Sequence, residues 1–162
     1  MFATGGDYKG TFDLSKHLED LGIVLDFSNC TQMQGVFSDS RFTGLPIIDT
    51  RSATNIGHLF AYCFYVKKID KLILKNDGSQ TIDNIFQSVK YLEDIEIEGL
   101  FGKSFSMQWA EYLTINSAIN IINHLKDLTG STAQTLTLHA NVKAKLTDEQ
   151  IASITSKNWN LA

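Results

Sequence analysis

Asp49-Thr50-Arg51-Ser52-Ala53-Thr54-Asn55-Ile56-Gly57-His58-Leu59-Phe60 is the stretch on which the reading of the fold turns. A second copy runs from Asp26-Phe27-Ser28-Asn29-Cys30-Thr31-Gln32-Met33 to Val36-Phe37. In both, Asp stands 11 residues before the Phe, Thr 6 before and an apolar residue 4 before. A third copy keeps Ile82 and Ile85 ahead of Phe86 but lacks the Asp and Thr in place. Phe12, Phe37, Phe60 and Phe86 follow one another at 25, 23 and 26 residues.

The residues after each Phe recur as well. Phe12 is followed by Ser15, Leu18, Leu21 and Ile23, Phe60 by Cys63, Val66 and Ile69, and Phe86 by Val89, Leu92, Ile95 and Ile97. The unit at Phe37 runs one residue short, with Phe42 and Leu45 arriving early. A period of this length predicts a solenoid of one supersecondary unit per repeat, each stacked on the next because none buries its apolar face alone. Met33, Val36, Phe37 and Ile56, Leu59, Phe60 are spaced i, i+3, i+4, which predicts one short helical turn apiece. Leu92-x-x-Ile95-x-Ile97 ends in period-2 alternation, the mark of a short strand. The competing reading is an ordinary α+β domain in which four Phe fall at similar intervals by chance.

After Gly99 the pattern changes. Phe101, Phe105, Met107 and Trp109 suggest a strand with one apolar face. Thr114 is a suitable N-cap for a helix carrying Ile115, Ala118, Ile119, Ile122 and Leu125, with Gly130 as its left-handed stop. Thr135-Leu136-Thr137-Leu138-His139 alternates as a strand. Thr147 and Gln150 form a capping box, and Leu146 with Ile151 supply the hydrophobic staple around it. Asn158 tolerates the left-handed conformation at that helix's end, and Trp159 and Leu161 close the chain.

Composition excludes several classes. The 162 residues carry a net charge of −4 and are 43 % hydrophobic, so the chain has a core to bury and no basic footprint for nucleic acid. Two cysteines exclude a disulfide scaffold. No apolar run reaches the ~18–20 residues of a membrane span. Met1 to Asp7 has neither the positive segment nor the apolar stretch of a secretory signal. Either the protein is not exported by that route or this chain is a piece of a longer one, and the missing cap ahead of Phe12 fits the second reading.

The strings Leu25 to Phe37 and Asp49 to Cys63 resemble the BspA-type leucine-rich repeat, a family of bacterial surface proteins and of phage and prophage tail proteins. The stretch from Leu136 through Lys145-Leu146-Thr147-Asp148-Glu149-Gln150-Ile151-Ala152 to Lys157-Asn158-Trp159 resembles the end module of the phage members. His139 and Asn158 depart from that pattern, standing where a small residue and Gly are usual. The resemblance implies a mixed α/β fold: a leucine-rich repeat solenoid of about four short strand/helical-turn units over 12–99, with an α+β C-terminal capping module over 100–162. Residues 1–11 read as an N-terminal remnant or the start of a truncated repeat.

Chemistry is thin. His17, His58, His124 and His139 are scattered without ligand spacing, and Cys30 and Cys63 read as small core fillers. No phosphate loop, G-x-S-x-G or dinucleotide fingerprint occurs, so no cofactor, metal site or catalytic residue is expected. Glu93, Asp94, Glu96 and Glu98 cluster, but Glu96 and Glu98 alternate with Ile95 and Ile97 and so point together off a strand's open face. That strip is either a solvated face or an acidic binding surface, partly neutralised by Lys67, Lys68 and Lys71. Tyr62, Phe64 and Tyr65 cannot all face inward, and an exposed Tyr is a frequent contact residue.

The candidate binding residues are therefore Tyr62 and Tyr65 on a rim, and Asp70, Glu96, Glu98 and Thr137 on one strand face. The expected role is non-enzymatic: a recognition or adhesion module of a phage tail or bacterial surface, contacting a host surface protein or glycan. A structural spacer or assembly element among neighbouring tail proteins is the alternative. Neither nucleic acid nor membrane insertion is expected.

Overall fold

The computed structural model describes residues 12–23 and 25–162, so the expected remnant over 1–11 lies outside the described residues. Four strands, β1 (Phe12–Asp13), β2 (Phe42–Asp49), β3 (Lys68–Ile73) and β4 (Asp94–Glu98), pair in parallel in that order. A second parallel sheet joins β5 (Phe105–Met107), β6 (Gln134–Leu138) and β7 (Trp159–Leu161). Helices α1 (Leu14–Asp20), α2 (Ile115–Asn123), α3 (Ala140–Lys143) and α4 (Asp148–Ser156) lie between strands. None of them is long and apolar enough to cross a membrane.

The segments around Phe37, Phe60 and Phe86 are chains of turns instead of the helical turns their spacing predicts. Left-handed backbone explains this. Gly35, His58 and Asn84, each two residues before a Phe, have φ of 66°, 54° and 54°, and Asp39, Tyr62 and Ser88, two after, have 55°, 60° and 61°. A helix cannot continue through such residues. Alternate N–H groups close local turns, as Ser38 to Gly35 O at 3.0 Å, and the others reach the next segment, as Phe37 to Leu59 O at 3.1 Å and Phe60 to Ile85 O at 3.0 Å. Every second donor is thus satisfied sideways, and the segments lie in register.

That register stacks the rings. Phe37 and Phe60 lie 6.0 Å apart at 16°, and Phe60 and Phe86 5.7 Å apart at 16°. Edge-on rings end the column: Phe27 meets Phe37 at 82°, and Phe101 meets Phe86 at 63°. The three central rings are fully buried.

The fold class expected from the sequence is corrected by this architecture. In place of a leucine-rich repeat solenoid of about four strand/helical-turn units with an α+β cap, the described residues form an α/β domain of two parallel sheets and four helices. Phe12 is not a fourth member of the column series: its backbone pairs with Phe42 on β2. Gly130, at φ 79°, does not end α2, which stops at Asn123 with His124 as its C-cap. The strand expected from Phe101 to Trp109 shrinks to Phe105–Met107, with Phe101 in an isolated bridge to Leu125 and Trp109 exposed in a turn.

Helices close both sides of the first sheet. Helix α1, N-capped by Asp13, packs against β2. Helix α2, N-capped by Thr114, packs against β4 and takes up that edge strand's free donors. Ile95 N–H donates to Ser117 Oγ at 3.1 Å and Ile97 N–H to Asn120 Oδ1 at 2.7 Å. Helix α4 carries the capping box of Thr147 and Gln150, and Asn158 follows it at φ 61°. Trp159 is buried, its Nε1–H donating to Lys126 O at 2.9 Å. Gly78 and Gly102 mark where adjacent turns touch: a Cβ on Gly78 would stand 2.9 Å from the Gly102 backbone.

Candidate functional site

On β4 the burial alternates strictly, Ile95 and Ile97 inward and Asp94, Glu96 and Glu98 outward. On β3 two consecutive residues, Asp70 and Lys71, fill the interval that one residue fills on β4, because the register slips between Ile69 and Leu72. The extra residue brings Lys71 against the acidic strip. Its Nζ lies 2.8 Å from Glu96 and 3.8 Å from Glu98, and these carboxylates hold its ammonium above the ordinary lysine range. Lys68 pairs with Asp70 at 2.8 Å and is likewise raised by it. Ser15 Oγ, from the first turn of α1, donates to the other oxygen of Asp70.

Asp70, Glu96 and Glu98 therefore share one outer face, as the sequence suggests, within a mixed grid of charge instead of a bare acidic strip. Two shallow grooves of about 340 and 320 Å³ meet at Lys68 and Asp70, one bordered by α1 and the other by α2. The ion pairs face solvent, where water and salt screen them. They hold the surface's pattern of charge more than they hold the fold. Thr137 does not belong to this face. It lies on β6, which pairs with β5 and β7, and α2 blocks the edge through which the first sheet would have reached it. Its groove, with Asp83, Asn84, Ser104 and Thr135, is a separate one.

Tyr62 and Tyr65 stand on the turns that lead into the strands. Those turns run side by side, tied by Lys67 N–H to Thr43 O, Glu93 N–H to Lys67 O and Thr114 N–H to Glu93 O at 2.8–2.9 Å. Tyr62, Phe64, Tyr65, Tyr91, Trp109 and Tyr112 are 40–51 % exposed along this rim. Arg41 lies over Tyr65 at 5.4 Å, and Tyr91 stacks on Tyr112 at 5.6 Å and 23°. Lys90 covers Tyr91 at 5.5 Å and pairs with Glu111 at 3.9 Å.

Tyr91, Trp109 and Tyr112 are rim residues that the sequence reading passes over, although Tyr91 stands five residues after Phe86 as Tyr65 does after Phe60. Alignment on the elements finds two of them, since Tyr65, Tyr91 and Tyr112 each stand three residues before β3, β4 or α2. The left-handed φ of Tyr62 is shared by Asp39 and Ser88 in the neighbouring turns, so it belongs to the turn and not to a site.

Cys63 is buried beneath the rim, its thiol donating to Phe37 O at 2.9 Å, and burial pushes its pKa up. Cys30 is half-buried. Among the described residues no three His, Cys, Asp or Glu side chains converge in a way that would hold a metal ion. Comparison with known protein families, curated proteins and solved structures finds no match to this chain.

Proposed function

We propose that this chain is a non-catalytic recognition module that binds a host surface protein or glycan through its aromatic rim and the charged sheet face beside it. The observation that carries the reading is the rim itself: six large aromatic side chains left in solvent on three adjacent turns, beside a core that buries the stacked rings of Phe37, Phe60 and Phe86. Exposed aromatics gathered in one place mark contact surfaces, because Tyr and Trp offer wide apolar area at low entropic cost together with a polar tip. The resemblance of the terminal strings to phage and prophage proteins supports a place on a virion tail or bacterial surface.

The test is binding of fluorescently labelled chain to intact bacterial cells, with unlabelled chain as competitor. Saturable, competed binding is expected, and the double substitution Tyr62→Ala/Tyr65→Ala should weaken it at least tenfold. A folded sample that shows no saturable binding would assign the chain instead to a spacer or assembly role.

A further inference from the structure

Resting on that reading, we infer that Tyr112 and the groove beside it form a subsite for an acidic sugar residue, a pyranose bearing a carboxylate. The groove is about 500 Å³ and is lined by Glu111, Tyr112, Asn141, Ala144 and Lys145. Tyr112 is its platform. Stacking on Tyr91 holds the ring at 5.6 Å, and Lys90 lies over Tyr91 at 5.5 Å. The negative face of a phenol ring attracts the polarised C–H groups on the flat side of a pyranose.

The polar groups around the platform are of two kinds. Glu111 is compensated by Lys90. Among the described residues, Lys145 has no carboxylate within ion-pair distance and the side-chain amide of Asn141 makes no hydrogen bond. Both stand on a fixed backbone: Asn141 N–H donates to His139 Nδ1 at 3.2 Å, and Lys145 N–H to Val142 O at 3.0 Å. The groove therefore carries one uncompensated positive charge, one free amide able both to donate and to accept, and one carboxylate acceptor. Sugar hydroxyls fit the amide and Glu111, and a ligand carboxylate fits Lys145. A neutral sugar would leave that ammonium unused, and a basic one would be repelled by it.

The experiment is saturation-transfer NMR and titration with methyl glucuronide and its neutral match methyl glucoside, with N-acetylneuraminic acid as a second acidic probe. Saturation transfer to the ring C–H protons is expected, with the acidic sugars bound at least fivefold more tightly than methyl glucoside. Tyr112→Ala should abolish transfer. Lys145→Gln, on an exposed side chain, should remove the preference for acid while leaving weak binding of both sugars. No transfer to any probe, equal affinity for acid and neutral sugar, or a Tyr112→Ala protein of unchanged unfolding midpoint that still binds would each overturn the subsite. If the sugars fail while the chain still binds cells saturably, this inference falls and the recognition reading stands. If cell binding fails and sugar binding holds, the reverse follows.

Discussion

Gln80 lies almost wholly inside, and its amide is fully used. Its Nε2 donates to Thr50 O at 2.8 Å, Ala53 O at 3.0 Å and Thr50 Oγ1 at 3.2 Å, while its Oε1 accepts from Lys75 N–H at 2.9 Å. Thr50, also buried, passes its own hydroxyl to Ile73 O at 2.7 Å. The cluster ties the turn after β2 to the turn after β3. Gln80→Leu keeps the volume but strands the Lys75 N–H and the Ala53 carbonyl, while Thr50 O keeps the Ala53 N–H, so it should lower the unfolding free energy by about 2–4 kcal/mol in urea titration. Nothing in the sequence singles Gln80 out. It occupies the place where Thr31 and Thr54 stand, six residues before the Phe, and so reads as a position that was lost. Its role depends on a turn thirty residues earlier, which local spacing does not encode.

Helix α2 acts as the end of a sheet. Ser117 and Asn120 sit one turn apart and supply acceptors to Ile95 and Ile97, the donors that a fifth strand would otherwise have taken. Asn120→Leu should therefore cost about 1–3 kcal/mol and leave an open strand edge, which invites pairing with a second chain. Denaturation and static light scattering check both effects; an unchanged midpoint with a monodisperse sample would mean the helix does not seal the edge. The element's existence was legible, from the cap at Thr114 and the 3.6-residue period after it. Its purpose was not, because Ser117 and Asn120 look like the polar positions of any amphipathic helix. The same asymmetry holds for β4, whose alternation reads directly, and for the turns around each Phe. There the i, i+3, i+4 spacing is real, but left-handed residues on either side forbid the helix it suggests.

Across the whole molecule one hydrophobic cluster runs from Leu14 to Trp159 through both sheets. Four aspartates punctuate its outside. Asp26, Asp49, Asp77 and Asp127 each accept the N–H of the residue two further on, at 2.8–3.0 Å. Their carboxyls all lie below the usual range. The cause is the Ser28 N–H for Asp26, the Arg51 guanidinium for Asp49, the Ser79 N–H for Asp77 and the Thr129 hydroxyl for Asp127. Depressed carboxyls contribute stability that is present above their unfolded value, ~3.9, and is lost as pH falls through the folded one. The melting temperature should therefore hold level from neutral pH to about 5 and fall below about 4, and Asp77→Ala should soften that fall. The recurring Asp was legible at 26 and 49, whereas Asp77 was hidden by standing two residues late.

The two tryptophans inherit opposite surroundings from this plan. Trp159 sits edge-on to Phe105 at the dry end of the ring column, 2 % exposed, while Trp109 stands 50 % exposed on the rim. Ultraviolet emission from the chain is consequently a sum of two colours, a blue one shielded from quenchers and a red one open to them. Only the red one comes from the surface that a partner would touch.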